Sequence, residues 1–137
     1  MKNFKLFIAL TVLTISILMS GSCRRASDNG KIDGYWKIQE IYYIADGVTV
    51  EPDGKFIAIQ LELLQLQDPD PSPKLTAVLS YAKGSDQFSV DFRNNPSEEQ
   101  LAAFGFSGTQ SVMHIDQVDG KRMVLTSPIA RITCRKW

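Results

Sequence analysis

From residue 32 onward, apolar and polar side chains alternate in short runs that are separated by turn signals. Asp46-Gly47, Pro52-Asp53-Gly54 and Asp119-Gly120 are three of these signals, and they recur every 8 to 15 residues. A period of two residues gives each strand one apolar and one wet face, which is typical of antiparallel strands around a single interior. The chain is therefore predicted to form an all-β sandwich or barrel. The side chains predicted to face inward are Ile57, Ile59, Leu61, Leu63, Leu75, Leu79, Phe88, Val90, Phe92, Met113 and Ile115.

One segment departs from this alternation and predicts a short helix over Pro96–Phe104. Asn95 is suited to the N-cap position, Pro96 to the first helical position, and Gly105 to the exit. A second segment, Asp68–Pro73, contains three prolines and predicts a stiff exposed loop, which serves either as a plain connector or as a contact surface.

The N-terminus has the layout of a bacterial export signal. Lys2 and Lys5 are followed by an apolar run over residues 6–19 and by the small residues Ser20, Gly21 and Ser22. This run of 14 almost wholly apolar residues is shorter than the ~20 needed to span a bilayer as a helix. Residues 1–22 are therefore predicted to be a signal peptide, and residues 23–31 a tether.

Cys23, directly after the small residues, resembles the lipobox cysteine of bacterial lipoproteins. That resemblance implies a lipid-modified Cys23 that holds the mature chain to a membrane. Arg24 and Arg25 stand where acidic residues would suggest surface export, so we expect an outer-membrane location facing the periplasm. Ser20 departs from the Leu or Val that the family prefers at this position. The alternative is a secreted soluble protein in which Cys23 is a plain first residue.

The composition predicts one domain, residues 32–137, with no affinity for nucleic acid. Fifteen basic and fifteen acidic residues balance, so no basic face is left over for a polyanion. Cys23 and Cys134 are the two cysteines. If Cys23 carries lipid, Cys134 should be a buried free thiol; otherwise the two cysteines could form a disulfide.

Gly34-Tyr35-Trp36 resembles the Gly-x-Trp start of lipocalins. The ending Arg131–Trp137 is similar to the terminal strand of the lipocalin-like domains that many Gram-negative lipoproteins carry. The resemblance implies an antiparallel lipocalin-like β-barrel of about eight strands with one short helix, in which Arg135 or Arg131 packs over Trp36. One departure is the helix position, because lipocalins usually place a helix before the last strand, whereas three candidate strands follow Pro96–Phe104 here.

Residues with catalytic or metal-binding chemistry are sparse. His114 is the single histidine, and it shares the polar face of its strand with Asp116. Zinc normally takes three or four protein ligands, and a serine nucleophile would have His114 as its sole base. We therefore expect a solvated surface histidine, no metal, no cofactor and no enzymatic activity.

Two functions remain open. The lipocalin resemblance implies a carrier or sensor for a small hydrophobic ligand, because no charged residue falls on the predicted inward faces. The alternative is a barrel with a filled core that docks on a protein partner in the cell envelope. In a carrier, the residues expected to line the ligand site are Trp36, Ile59, Leu61, Leu79, Phe88, Phe92 and Met113.

Overall fold

A computed structural model describes residues 29–69 and 74–137 of the chain. Within these ranges the backbone forms a short 3-10 helix, Gly30–Ile32, nine strands and one α-helix. The strands are β1 Gly34–Tyr43, β2 Thr49–Val50, β3 Phe56–Gln60, β4 Leu63–Gln67, β5 Leu75–Ser80, β6 Gln87–Phe92, β7 Gln110–Val118, β8 Arg122–Thr126 and β9 Ala130–Lys136. The helix, α1, spans Glu98–Ala102.

The sheet closes on itself. Each strand from β3 to β8 pairs antiparallel with the next, and β1 pairs with both β3 and β9. Eight strands therefore form a closed antiparallel barrel, to which β2 adds a short edge strand beside β1. This confirms the predicted barrel, its strand number and the three strands that follow the helix.

The barrel has two structurally distinct ends. The end that we call the base carries residues 29–33, where the described chain enters, and the β3–β4, β5–β6 and β7–β8 turns. The end that we call the mouth carries the β1–β2 hairpin, the adjoining ends of β4 and β5, the β8–β9 turn and residues 93–109, which include α1. The described chain therefore enters the barrel at the end opposite the helix.

Apolar side chains fill the interior. Most of the predicted inward residues are buried, including Ile57, Phe88, Val90 and Met113. Barrels of eight strands are just wide enough for side chains to fill them. The largest fully buried side chains are Trp36, Phe88, Phe106, Ile32, Ile38, Ile41, Ile57, Ile59, Leu64, Leu66, Leu101 and Met113.

The inward orientation predicted for Leu61 and Leu63 is wrong. Leu61 is 56% exposed and Leu63 is 41% exposed, whereas Leu64 and Leu66 are buried. The alternation in the sequence resembles one long strand, but a two-residue turn at Leu61-Glu62 divides it into β3 and β4. Leu61 has a φ of 54° in this turn, so the inward face resumes one residue later than the alternation predicts.

The helix is shorter than predicted and begins at a different cap. The hydroxyl of Ser97 accepts a hydrogen bond from the backbone N–H of Gln100 at 3.1 Å. The Gln100 side chain accepts one from the Ser97 N–H at 2.9 Å, which completes a capping box. Asn95 instead adopts a positive φ of 44°, so the predicted cap is two residues too early. The exit at Gly105, with a φ of 82°, is as predicted.

The predicted signal peptide and Cys23 lie outside the described residues, as do residues 70–73 of the predicted proline-rich loop. Asn29 is buried, and its side-chain amide donates hydrogen bonds at 2.7 Å both to Asp33 Oδ1 and to the Leu61 carbonyl. The last residues of the predicted tether thus pack against the base of the barrel. Among the described residues, no helix is long and apolar enough to cross a bilayer.

Candidate ligand site at the barrel mouth

The residues predicted to line a ligand site are, with one exception, part of the packed interior. Trp36, Phe88 and Met113 are at most 1% exposed. Ile59, Leu79 and Phe92 are at most 4% exposed. Leu61 is the exception, because it lies in the exposed turn at the base. The structure therefore brings six of the seven residues together as a core, and whether any of them contacts a ligand stays a prediction.

Trp36 seals the base. Its indole is fully buried, and Nε1 donates a hydrogen bond to the Ile32 carbonyl at 2.9 Å. The ammonium of Lys136 lies 4.5 Å from the centre of a Trp36 ring and also donates a hydrogen bond to the Asp33 carbonyl. The resemblance implied a basic residue in this position, but the choice of Arg131 or Arg135 is wrong. Both point outward because they alternate with the buried Ile132 and Cys134 along β9.

The mouth is closed by the segment that contains α1. Leu101, Phe104 and Phe106 of this segment are all buried. Phe106 packs edge-on against Phe92, with ring centroids 5.7 Å apart, and so joins the interior. The positive φ of Gly105 lets the chain turn between the two phenylalanines. The segment is therefore both a cover for the mouth and a part of the core.

Three donors from β1, from the residue before β3 and from the β8–β9 turn bind carbonyl groups at and just after the C-terminal end of α1. The Tyr43 hydroxyl donates to the Ala102 carbonyl at 2.6 Å, and the Ser127 hydroxyl donates to the Gly105 carbonyl at 2.5 Å. Lys55 Nζ donates to the Ala103 carbonyl at 3.3 Å. Carbonyls at the end of a helix lack partners within the helix, so these bonds satisfy them and hold the helix in place. The sequence carries no signal for this arrangement, because the donors are distant from the helix along the chain.

Tyr43 and Lys55 have further interactions at the mouth. Burial, followed by the negative charge of Asp46, raises the pKa of the Tyr43 phenol, which keeps it a hydrogen-bond donor. The Lys55 ammonium lies 4.3 Å from the Phe104 ring centre and 3.6 Å from the Asp68 carboxylate. Lys55 therefore links the start of β3 to the helix segment and to the end of β4.

A cleft opens beside the helix. It has a volume of about 370 Å³ and lies between α1 and the mouth ends of β4 and β5. The half-buried Leu75 contributes apolar surface above the buried Leu66 and Phe104, whereas polar groups lie at the rim of the cleft. Ligand pockets of small molecules have volumes of about 300–1,000 Å³ and a similar distribution of apolar and polar groups. The residues that line this mouth cleft are Leu66, Asp68, Leu75, Glu99, Gln100, Ala103 and Phe104.

His114 lies on the outer wall and takes no part in the mouth cleft. Its Nδ1 is 2.9 Å from Asp116 Oδ1, and its Nε2 is 3.6 Å from Asp86 Oδ2. Burial raises the pKa of Asp116, but hydrogen bonds from Thr126 and His114, with the charges of His114 and Arg131, outweigh this effect and lower it. Among the described residues, no group of three or more His, Cys, Asp or Glu side chains is arranged to hold a metal. His114 is half exposed, as predicted for a surface histidine.

Cys134 is a fully buried free thiol on the inner face of β9. Burial raises its pKa, because a thiolate would lose its hydration in the apolar interior. The predicted burial of Cys134 is confirmed. The modification of Cys23, on which that prediction depended, stays a prediction.

Comparisons with known proteins agree with this architecture. A crystal structure of a lipocalin-like protein from Bacteroides uniformis superposes with a TM-score of 0.65 at 16% identity, over 79% of this chain and 100% of that one. An uncharacterized protein from Bacteroides eggerthii superposes with a TM-score of 0.60 at 18% identity, over 77% and 98%. No curated protein matches the sequence significantly. The family model of the lipocalin-like domain matches residues 17–137. The chain therefore belongs to the lipocalin-like domain family.

Proposed function

We propose that this protein is a non-catalytic binding domain of the cell envelope that holds a small, largely hydrophobic molecule in the mouth cleft. The observation that carries the proposal is the cleft of about 370 Å³ beside α1. The interior below it is already filled, so the proposed ligand lies on top of the core rather than within it. This differs from a carrier whose ligand occupies the centre of the barrel.

The chemistry of the cleft defines the ligand class. Leu66, Leu75 and the ring of Phe104 would contact an apolar body, and burying such a body is favourable by about 25 cal/mol per Å² of apolar area. Asp68 and Glu99 bring negative charge to the rim, while Gln100 can both donate and accept hydrogen bonds. A fatty acid would place its carboxylate near these acids, so a neutral or cationic head group suits the rim better.

An environment-sensitive apolar dye tests the site. We expect 1-anilinonaphthalene-8-sulfonate to be a poor probe because of its negative charge, and the neutral dye Nile red to bind near one per chain. Leu75→Trp should block Nile red, because the larger side chain fills the cleft. Leu63→Trp is the matched control, since Leu63 is 41% exposed on the outer wall near the base and should leave binding unchanged. Equal binding by both variants, or no binding to the folded chain, would contradict the proposal.

The location of the protein is a second part of the proposal. A lipid-anchored Cys23 would join the membrane to the base of the barrel, because the described chain begins there. The mouth cleft would then face away from the membrane that holds the anchor. Cys23→Ser should move the protein from the membrane fraction to the soluble fraction without changing its circular dichroism spectrum. Recovery of the Ser variant in the membrane pellet at the wild-type level would refute lipid anchoring.

The alternative function is a filled barrel that binds an envelope protein, and a specific feature favours it. The β1–β2 hairpin exposes Tyr42, Ile44, Val48 and Val50, each at least 42% accessible to solvent. Concentrated exposed apolar side chains often mark interaction surfaces. If Nile red does not bind the folded chain while Ile44→Asp abolishes capture of an envelope partner by crosslinking, this alternative replaces the ligand-binding proposal.

A further inference from the structure

Trp137 lies on the outer wall of the barrel, is 73% exposed, and is nevertheless held in place. Its backbone N–H donates a hydrogen bond to the Tyr35 carbonyl at 2.9 Å, which extends the pairing of β9 with β1. Its ring meets Phe56 edge-on, with centroids 5.4 Å apart and an interplanar angle of 81°. The Lys37 ammonium lies 5.3 Å from the ring centre. Most of a large, positioned aromatic surface thus faces solvent.

Phe56 is itself supported from the other side. Its ring stacks on Tyr35 with centroids 4.6 Å apart and an interplanar angle of 12°. The Tyr35 hydroxyl donates a hydrogen bond to Gln67 Oε1 at 2.6 Å. The three aromatic rings therefore form one connected row on the outside of β1 and β3. A rigid row of this kind presents Trp137 at little cost in conformational entropy.

A surface groove of about 850 Å³ adjoins Trp137. The groove follows the outer side of β1, where the β1–β9 register shifts between Ile38 and Glu40. On the mouth side of this shift β1 pairs with β2, and on the base side it pairs with β3. This change of partner leaves room between the strands. Besides Trp137, the groove is lined by Lys37, Ile38, Gln39, Glu40, Glu51, Pro52, Asp53, Arg135 and Lys136.

Four polar side chains of the groove are exposed to solvent. Within residues 29–69 and 74–137, the side chains of Gln39, Glu40, Glu51 and Arg135 make no hydrogen bond or ion pair with the protein. Carboxylates accept hydrogen bonds, guanidinium donates them, and the amide of Gln39 does both. Positive and negative groups line the same groove, so it has no strong preference for an ion of either sign.

We propose that this groove binds a neutral saccharide, with one sugar ring against the indole of Trp137 and neighbouring hydroxyl groups on Glu40, Glu51, Gln39 and Arg135. The electron-rich face of an indole attracts the weakly positive C–H groups of a sugar ring. Sugar hydroxyls donate and accept hydrogen bonds, as the mixed groups of the groove require. Because cationic and acidic side chains line the groove together, neither an anion nor a cation is favoured, and an apolar ligand would leave the polar groups that it covers without partners.

This site is independent of the mouth cleft. The two tryptophans of the chain make it directly measurable, because Trp36 is fully buried and Trp137 is exposed. Acrylamide should therefore quench the emission of Trp137 selectively. We would titrate the purified chain with cellohexaose, maltohexaose and laminarihexaose, each tested separately by acrylamide quenching and by titration calorimetry. At least one of them should bind saturably and protect the quenchable emission.

Substitutions in the groove test which side chains hold the saccharide. Trp137→Ala should abolish the binding heat, whereas Trp137→Phe should retain part of it because a smaller aromatic face remains. Glu40→Ala should weaken binding about 5- to 10-fold, the loss expected for one hydrogen bond. Glu98→Gln, on the exposed side of α1 at the mouth, is the matched control and should have no effect.

Three results would overturn the proposal. The first is the absence of saturable binding for all three oligosaccharides while circular dichroism shows a folded chain. The second is unchanged binding heat in Trp137→Ala. The third is binding of inorganic phosphate, used as an anionic probe, without binding of any saccharide. Failure of the mouth cleft to bind Nile red has no bearing on these outcomes, because Leu75 and Trp137 lie on different surfaces.

Discussion

The two ends of the barrel are closed in different ways. At the base, a fully buried Trp36 donates a hydrogen bond to Ile32, in the 3-10 helix that leads into β1, and is covered by Lys136 of β9. At the mouth, closure depends on an inserted segment whose helix has five residues and whose carbonyl groups are held by side chains from the wall. The base is thus part of the global fold, whereas the mouth is covered by an element that could open locally.

This comparison explains why the mouth is the better place for a ligand. Opening the base would expose Trp36 and the core beneath it, at a cost close to that of unfolding. Opening the mouth needs the loss of a few hydrogen bonds and the withdrawal of Leu101 and Phe104 while the barrel wall stays intact. Binding regions generally come from the less stable parts of a fold, because a ligand has to enter them.

The largest expected effect is at the base. Trp36→Ala should lower the free energy of unfolding by about 3–5 kcal/mol, because it leaves a large cavity in a closed interior. Urea denaturation followed by circular dichroism measures the loss. Trp137→Ala removes the same side chain from an exposed position and should cost less than about 1 kcal/mol. Equal losses in the two variants would mean that Trp36 does not seal the barrel.

The next effect is at the mouth and concerns Gly105. An alanine Cβ there would lie 2.8 Å from Ile132 Cγ1 and 3.1 Å from Ile41 Cγ2, at a φ of +82°. Backbone strain and overpacking together should cost about 2–4 kcal/mol. Gly108 has a similar φ of +72°, but its nearest atom, the Gln110 carbonyl oxygen, is 3.8 Å away. Gly108→Ala should therefore lower the free energy of unfolding by about 1–2 kcal/mol, through backbone strain alone. A Gly105 variant no less stable than the Gly108 variant would disprove the close packing.

A smaller effect should follow from the Tyr43 hydroxyl. Tyr43→Phe removes its bond to the Ala102 carbonyl and should cost about 0.5–1.5 kcal/mol. Hydrogen exchange of the α1 amides should accelerate more than that of the β6 amides, since the bond holds the mouth and not the wall. Tyr42→Phe, in which the exposed neighbouring tyrosine loses its hydroxyl, should change neither measurement. A uniform acceleration across all strands would argue against local opening.

The same tyrosine predicts a dependence on alkaline pH. The pKa of Tyr43 is raised in the folded state, so the folded state holds this proton more tightly than the unfolded chain does. Its contribution to stability is therefore complete below the unfolded pKa of about 10 and declines as the pH rises above it. In Tyr43→Phe this part of the decline should disappear, which paired denaturation curves between neutral and alkaline pH would reveal. Identical declines in the two proteins would contradict the assignment.

An effect of about the same size as that of Tyr43→Phe is expected at the start of α1. Ser97→Ala removes one half of the capping box and should cost about 1 kcal/mol. Because the helix covers the mouth, the rate of Nile red exchange should rise, although the free energy of unfolding falls only by this small amount. Ser89→Ala, on the exposed face of β6, provides a control that lacks a capping role. Indistinguishable exchange rates in these two variants would show that the helix does not control access.

The wall of the barrel was predictable from the sequence, whereas its closures were only partly so. Alternation identified β5, β6 and β7 because each exposes one face to water. It failed at Leu61-Glu62, where a tight turn contains neither glycine, proline, asparagine nor aspartate and so lacks the usual signals. The helix was visible through its cap and exit residues, but its hydrogen bonds to Tyr43, Lys55 and Ser127 depend on tertiary contacts that no local pattern encodes. The outer groove also depends on tertiary contacts, because Trp137 lies near Glu40 and Glu51 only after β9 has paired with β1.

The pairing of β1 with β9 has a consequence for the rate of folding. Every other neighbouring pair from β3 onward joins segments adjacent in the chain, so these hairpins can form early and locally. Closure requires seven residue pairs between Trp36–Tyr43 and Ala130–Lys136, which lie at opposite ends of the domain sequence. Closing so long a loop costs conformational entropy before any of these contacts form. Closure is therefore expected late in folding and is slow. Until β9 arrives, β1 keeps an unpaired edge, so the partly folded chain exposes a strand that could pair with another chain.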